Sequence, residues 1–384
     1  MKRCSLFAVS AVVMAMVLAG CNKKSDEELV IKIGHVAPTS GDIAHLGKDN
    51  ELGARMAIDE LNAKGLKIGG KKVKLELLAE DDAADPKQGA AAAQKLADAD
   101  VNGVVGHLNS GTTIPASKIY NEKGIPQISP SATNPAYTRQ GFKTTFRIVA
   151  DDVQLGGTLG RYAVNELKGK SISVIDDRTA YGQGVAEEFV KAGTASGGSI
   201  ASRQYTTSKE KDFSSILTAI KSTKPDVVFF GGMDAVAGPM LRQMKQLGIN
   251  SKFMGGDGVC TAELPGLAGG SLQKGQIVCA EAGGVEGEEK VAMDDFRKRF
   301  REKYNTDVKL YAPYVYDAVN VLVNAMVKAD SADPDKYLPV LAKTDGYKGV
   351  TGAISFDAKG DIKNGALTLY TYNGDKREQM AVVR

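Results

Sequence analysis

The chain has 384 residues, 43% hydrophobic and 25% charged, an ordinary globular composition in a length that one hydrophobic core seldom supports, so two domains are expected. The formal net charge is +3, falling near neutral if Lys2 and Arg3 leave with a signal peptide, and no lysine-arginine block stands out, which argues against nucleic acid as a partner. Its three histidines form no HExxH motif, no GxSxG motif is present, and nothing calls for a cofactor or a metal, so an enzyme is not expected.

Residues 1–20 begin with Lys2 and Arg3, run through an apolar stretch over 6–18 and end in small residues, the form of a secretory signal rather than a spanning helix. Leu18-Ala19-Gly20-Cys21 looks like a lipoprotein signal, in which Cys21 is acylated and becomes the new N-terminus; a simple cleaved signal with a spare cysteine is the alternative. Residues 21–28 then form a polar tether, and no later stretch is apolar enough to cross a bilayer. The expected product is a body held by lipid in the cell envelope, in the periplasm or on the outer face of the cytoplasmic membrane.

A strand is expected over 30–36 and a helix over 50–64, with Leu52, Met56, Ile58 and Leu61 near helical spacing. Residues 68–72 read as a hairpin turn into a strand over 73–79. Asp81, Asp82 and Asp85 follow, and without matched ligand spacing they read as a solvated turn before a helix over 86–97 rather than as a metal site.

The stretch over 104–135 holds two apolar runs that stop in small hydroxyl residues. A strand over 101–108 ends in Asn109, Ser110, Gly111, Thr112 and Thr113, before a helix over 114–122 with Pro115 in its first turn. A second strand, over 125–128, ends in Ser129, Pro130, Ser131, Ala132 and Thr133. If the two are parallel neighbours, their ends lie side by side, where open α/β sheets bind ligands and a helix N-terminus favours a small anion. The plainer alternative is that Ser110, Thr112 and Ser131 are only caps and turn residues. His107, at a strand end, reads as a hydrogen-bonded histidine near the core rather than a catalytic base.

A fresh strand-helix alternation from 171 marks a second lobe. Its first strand runs into Asp176-Asp177-Arg178-Thr179-Ala180-Tyr181-Gly182-Gln183-Gly184, with a helix expected from 185. These glycines miss the dinucleotide fingerprint, since Glu187 stands where its third glycine belongs. Strands over 226–230 and 252–254 end in Gly231-Gly232-Met233-Asp234 and Gly255-Gly256-Asp257-Gly258, and a strand over 277–280 leaves the lobe. Alternation with glycines after the strands argues for parallel sheet throughout. Helices follow over 296–304 and 314–328, with Tyr316 either in the core or lining a cleft. Cys260 and Cys279 invite a disulfide in an oxidising compartment, although two buried thiols would look the same in sequence.

Taken together, GHLNSGTTIPAS, ISPSATNP, DDRTAYGQG, FFGGMDA, FMGGDGV and YVYDAVNVL resemble the branched-chain amino-acid (leucine/isoleucine/valine) binding proteins of ABC transporters, and the likeness runs from about Val30 to the C-terminus. The resemblance implies a type I periplasmic binding protein: two doubly wound α/β lobes joined by three crossover strands, with the ligand in the cleft between them. It implies a first lobe over 29–150 and 283–356 and a second over 151–282 and 357–384. Ser110, Ser131 and Thr133 then match the residues that hold the ligand's carboxylate and ammonium, and Asn109 and Ala132 beside them are expected in the ligand site. Asp257 matches an acid against the ammonium, and Tyr181 and Tyr316 match aromatic walls. Leu46 and Met233 stand where relatives often carry an aromatic. The implied function is capture of an amino acid by lobe closure and delivery to ABC permease subunits, as a monomer. The alternative is a ligand-sensing protein that presents an aromatic amino acid or other small carboxylate to a receptor.

Overall fold

The structure is a computed structural model that describes residues 28–270 and 272–383; the expected signal and Cys21 lie outside the described residues. The first half alternates β1 (Leu29–Ala37), α1 (Ala44–Ala63), the hairpin β2 (Lys67–Ile68) and β3 (Lys71–Asp81), α2 (Pro86–Asp98), β4 (Gly103–Gly106), α3 (Ser110–Glu122), β5 (Gln127–Ser129) and β6 (Thr145–Arg147). The next segment runs α4 (Asp152–Asn165), β7 (Ser171–Asp176), α5 (Ala180–Ala195), β8 (Ser199–Tyr205), α6 (Ser214–Thr223), β9 (Val227–Gly231), α7 (Asp234–Gln246), β10 (Lys252–Gly255), α8 (Leu264–Leu267) and β11 (Ile277–Glu281). The chain closes with α9 (Glu289–Tyr304), α10 (Ala312–Lys328), α11 (Pro334–Leu341), β12 (Tyr347–Gly349), β13 (Gly352–Ile354), β14 (Leu367–Asn373) and β15 (Lys376–Val383).

Two sheets organise two lobes. The first has the order β2-β3-β1-β4-β5-β6, parallel except for the β2–β3 hairpin. The second has the order β15-β14-β11-β10-β9-β7-β8, parallel from β11 to β8. Central strands such as β4 and β9 are buried along their whole length, as expected when helices cover both faces. The chain passes between the lobes after β6, after β11 and after β13, which brings three connections side by side.

The expectation of parallel sheet throughout fails at the C-terminus, where β14 is antiparallel to both β11 and β15. For β14 and β15 the cause is local: Asn373 pairs with Lys376 across a two-residue turn in which Gly374 has φ 61°, and so short a loop joins only antiparallel strands.

Five helices begin earlier than apolar spacing indicates. The first starts at Ala44 rather than 50, the third at Ser110 rather than 114, the fifth at Ala180 rather than 185, the ninth at Glu289 rather than 296 and the tenth at Ala312 rather than 314. Pro115 accordingly lies inside α3, where it removes one intrahelical hydrogen bond. The opening turns of α3 and α5 consist of small hydroxyl, glycine and tyrosine residues that carry no apolar period. For α5 the capping signal was present instead, since the Thr179 hydroxyl accepts from Gly182 N–H at 3.0 Å.

Candidate functional site

The elements of both lobes bring their loop ends to one place. Ser110 opens α3, Tyr181 sits in the first turn of α5, Met233 caps α7, and Tyr311 caps α10. Four helix N-termini therefore point at the C-terminal ends of the strands, where Ser131 follows β5 and Asp257 follows β10. Leu108, Asn109, Ser110, Ser131 and Tyr311 from the first lobe meet Tyr181, Met233 and Asp257 from the second around a cavity of about 10 Å³. That is room for about one water, so a larger guest enters only when the lobes part. A cavity of about 590 Å³ lies along the three connections, lined by Ala150, Gly283, Tyr314 and Ser355 among others, and holds none of the expected site residues.

Asp257 joins the lobes chemically. Its side chain is buried, with Oδ1 accepting from the Tyr181 hydroxyl at 2.7 Å and Oδ2 from the Tyr311 hydroxyl at 2.9 Å. Gly258 N–H donates to the Tyr181 oxygen at 3.0 Å, which fixes the ring that faces the acid. Burial pushes the Asp257 pKa up to about 6, against the pull of the two phenol hydrogen bonds. Both phenols are pushed well above their ordinary value, by burial first and by the Asp257 charge second, so they remain donors.

A second acid stands behind the first. Asp152, in the first turn of α4, is fully buried, and burial with the Asp257 charge raises its pKa well above the carboxylate range. The Thr133 hydroxyl faces it, but neither group has a well-formed hydrogen bond. Gly184 lets α5 approach this acid, since a Cβ there would lie 2.6 Å from both Asp152 Oδ2 and Asn134 Nδ2.

On the opposite wall, the Ser110 hydroxyl accepts from Asn134 N–H at 3.2 Å, and the Ser131 hydroxyl donates to the Leu108 carbonyl at 2.9 Å. Asn109 caps α3 without a side-chain hydrogen bond, and its Oδ1 is buried without a partner. The helix end thus keeps its positive field toward the cavity. Ala132 is buried behind this wall, its N–H donating to Ser129 Oγ at 3.0 Å.

Six expected residues therefore line the cavity: Asn109, Ser110, Ser131, Tyr181, Met233 and Asp257. Tyr316 does not. It is buried elsewhere, its hydroxyl donating to Glu60 at 2.6 Å and its ring 5.0 Å from that of Phe296, because it lies on the face of α10 turned to α1 and α9. Tyr311 fills the wall position expected of it. The signal was legible, since Pro313 starts a helix and puts the tyrosine two residues before it at the N-terminus. Leu46 is fully buried in the apolar cluster that also holds Tyr181, Met233 and Tyr311, and it does not line the cavity. Leu108, which lines the cavity, was missed, and so was the buried Asp152 outside the lining, because a buried acid in a helix's first turn looks in sequence like an ordinary cap.

The acid group over 81–85 also departs from a solvated turn. Asp81 and Asp85 bind backbone N–H groups of their own turns, but Asp82 is fully buried, 3.2 Å from His107 Nδ1, while His107 Nε2 lies 3.1 Å from the Tyr120 hydroxyl. Cys260 and Cys279 form a disulfide that ties the loop carrying Asp257 to β11. Among the described residues no group of three or more His, Cys, Asp or Glu could hold a metal, and no helix is long and apolar enough to cross a membrane.

Comparison with known proteins agrees with this architecture. A family model described as periplasmic binding protein matches residues 30–377. The Leu/Ile/Val-binding protein homolog 1 of Brucella abortus is 37% identical, covering 89% of this chain and 90% of its own. The leucine-, isoleucine-, valine-, threonine-, and alanine-binding protein of Pseudomonas aeruginosa is 33% identical, covering 96% of each chain. In structure, the branched-chain amino acid transporter substrate binding protein LivJ of Streptococcus pneumoniae, in complex with isoleucine, matches with a TM-score of 0.82 at 29% identity, covering 92% of this chain and 99% of its own.

Proposed function

This chain belongs to the periplasmic binding proteins, among the leucine/isoleucine/valine-binding members, and from that premise we propose that it captures a small aliphatic amino acid by lobe closure and delivers it to an ABC permease. The observation that carries this reading is the buried acid Asp257, which shares its cavity with the hydroxyl-lined N-terminus of α3 and has the buried Asp152 outside the lining. Burial makes both carboxylates costly when charged, and a bound cation relieves that cost. An α-ammonium on Asp257 and an α-carboxylate on Ser110, Ser131 and the α3 N-terminus satisfy both ends of a zwitterion. Roughly five charge-assisted hydrogen bonds at about 1.5–3 kcal/mol each offset an association cost of about 4–15 kcal/mol. The aliphatic side chain adds about 1.5–3 kcal/mol, so the head group supplies affinity and Met233, with Tyr181 and Tyr311, supplies selectivity.

In this reading the protein is a binding protein rather than an enzyme, and it acts outside the cytoplasm as a lipid-anchored monomer attached through Cys21. Fractionation tests the anchor: Cys21→Ser should move the protein from the membrane to the soluble fraction, and an unchanged distribution would refute lipidation.

The function is tested by calorimetry of the body that starts after Cys21, freed of ligand by unfolding and refolding, against a panel of L-amino acids. One-to-one binding of leucine, isoleucine or valine is expected. Silence across the panel from folded protein would overturn the zwitterion reading and direct the search to small carboxylates.

A further inference from the structure

Beside Met233 the two lobes meet through charge. His45, on α1 of the first lobe, places Nε2 2.8 Å from Asp234 Oδ2, on α7 of the second. Asp234 is fully buried; the Thr261 hydroxyl donates to the same oxygen at 2.6 Å, and Oδ1 has no partner. A buried carboxylate so sparsely bonded is stabilised chiefly by a cation. The imidazole is the basic group it meets, and at 21% side-chain exposure it keeps contact with solvent protons.

Three charged groups act on His45: Asp234, Glu263 and Lys309. Glu263, just ahead of α8, and Lys309, just ahead of α10, form their own interlobe pair at 2.6 Å. Burial alone would lower the imidazole's pKa. The Asp234 hydrogen bond and charge, with Glu263 adding and Lys309 opposing, more than offset it and raise the pKa above its ordinary 6.5.

We propose that His45 is a positioning residue for closure: its protonated imidazole clasps Asp234 across the lobes, so the closed form gains on the open form as the medium becomes more acidic. The inference rests on the reading of this cleft as a ligand site that closes. When the lobes part, both groups return to water and the imidazole to its ordinary titration. A group that binds its proton more tightly in the closed form favours closure fully below its open-form pKa. That advantage is lost as pH rises through the closed-form pKa. The Asp257 carboxylate titrates near 6 in the same cleft, so the His45 contribution is isolated by comparing variants rather than from one profile.

The test is the closed-to-open ratio of ligand-free protein, read by energy transfer between one dye on each lobe, from pH 8.5 to 6. The ratio should rise about threefold to fivefold in wild type, the effect of a partly exposed ion pair. His45→Gln should leave only the smaller rise owed to Asp257, and His45→Arg should keep the ratio above that of His45→Gln up to pH 8.5. Parallel profiles for wild type and His45→Gln, or a wild-type ratio that ignores pH, would overturn the proposal. Because no ligand is added, failure here is distinct from failure of the amino-acid titration, which would sink the functional reading and leave the clasp standing.

Discussion

With its side chain 1% exposed, Asp257 owes a pKa of about 6 mainly to desolvation, and this sets how binding responds to acid. The folded-state value lies above the carboxyl's ordinary 3.8, so the group's contribution to stability is full below about 3.8 and is lost as pH rises through about 6. At neutral pH the ligand-free cleft therefore holds a destabilising charge, which an ammonium ion stabilises. With Asp257 as the proposed ammonium partner, the ligand meets a carboxylate above about 6; below, binding must expel a proton, and affinity falls by up to about tenfold per pH unit. Calorimetry from pH 4.5 to 8 should show this acid limb. Asp257→Asn should flatten it and weaken binding by about 10- to 100-fold, the value of a lost charge-assisted hydrogen bond. Wild-type affinity in Asp257→Asn would refute the ammonium assignment.

At the scale of elements, what could be read in advance follows what each segment packs against. Strands buried on both faces, such as β4 and β9, are continuous apolar runs and stand out. The alternation of strand and helix then yields two largely parallel sheets and brings the hydroxyl-rich ends at Ser110 and Ser131 to one place, whereas Asn109, Tyr181, Met233 and Asp257, which also line the cavity, were expected from the family resemblance. Helix starts were harder to see, because the first turns of α3 and α5 face the cleft and answer to hydrogen bonding rather than apolar packing. Helical spacing singled out Tyr316 and passed over Tyr311, although it is the capping position of Tyr311 that distinguishes a cleft residue from a core residue. The antiparallel β14–β15 pair was legible in Asn373-Gly374 and was overridden by extending the parallel rule too far. Contacts between distant segments, such as His45 with Asp234, have no local signal at all.

For the molecule as a whole, the proposed closure requires the three connections to act as one pivot, and Arg147 binds two of them together. It is fully buried at the end of β6 and donates to the carbonyls of Ala132 at 3.1 Å and Asn134 at 2.9 Å, and to the Thr138 hydroxyl at 2.9 Å. It also pairs with Asp361, which precedes β14 in the third connection. The same guanidinium thus shapes the loop around Ser131 and Thr133 and ties the first connection to the third. Replacing it by an apolar residue leaves two buried carbonyls short of donors and a carboxylate short of its cation. The Asp361 side chain is 15% exposed and still reaches water, so the cost is set at about 3 kcal/mol, near the low end for breaking a buried pair. Arg147→Met should therefore lower the melting temperature by about 4 °C. Adding Asp361→Leu should restore part of that loss, because the unpaired carboxylate is then gone while the carbonyls stay unsatisfied. The single variant should also bind ligand more weakly, since the Ser131 loop loses its anchor. An Arg147→Met protein that melts with wild type would show that the connections hold their geometry without this arginine, and that the pivot lies in their backbone pairing alone.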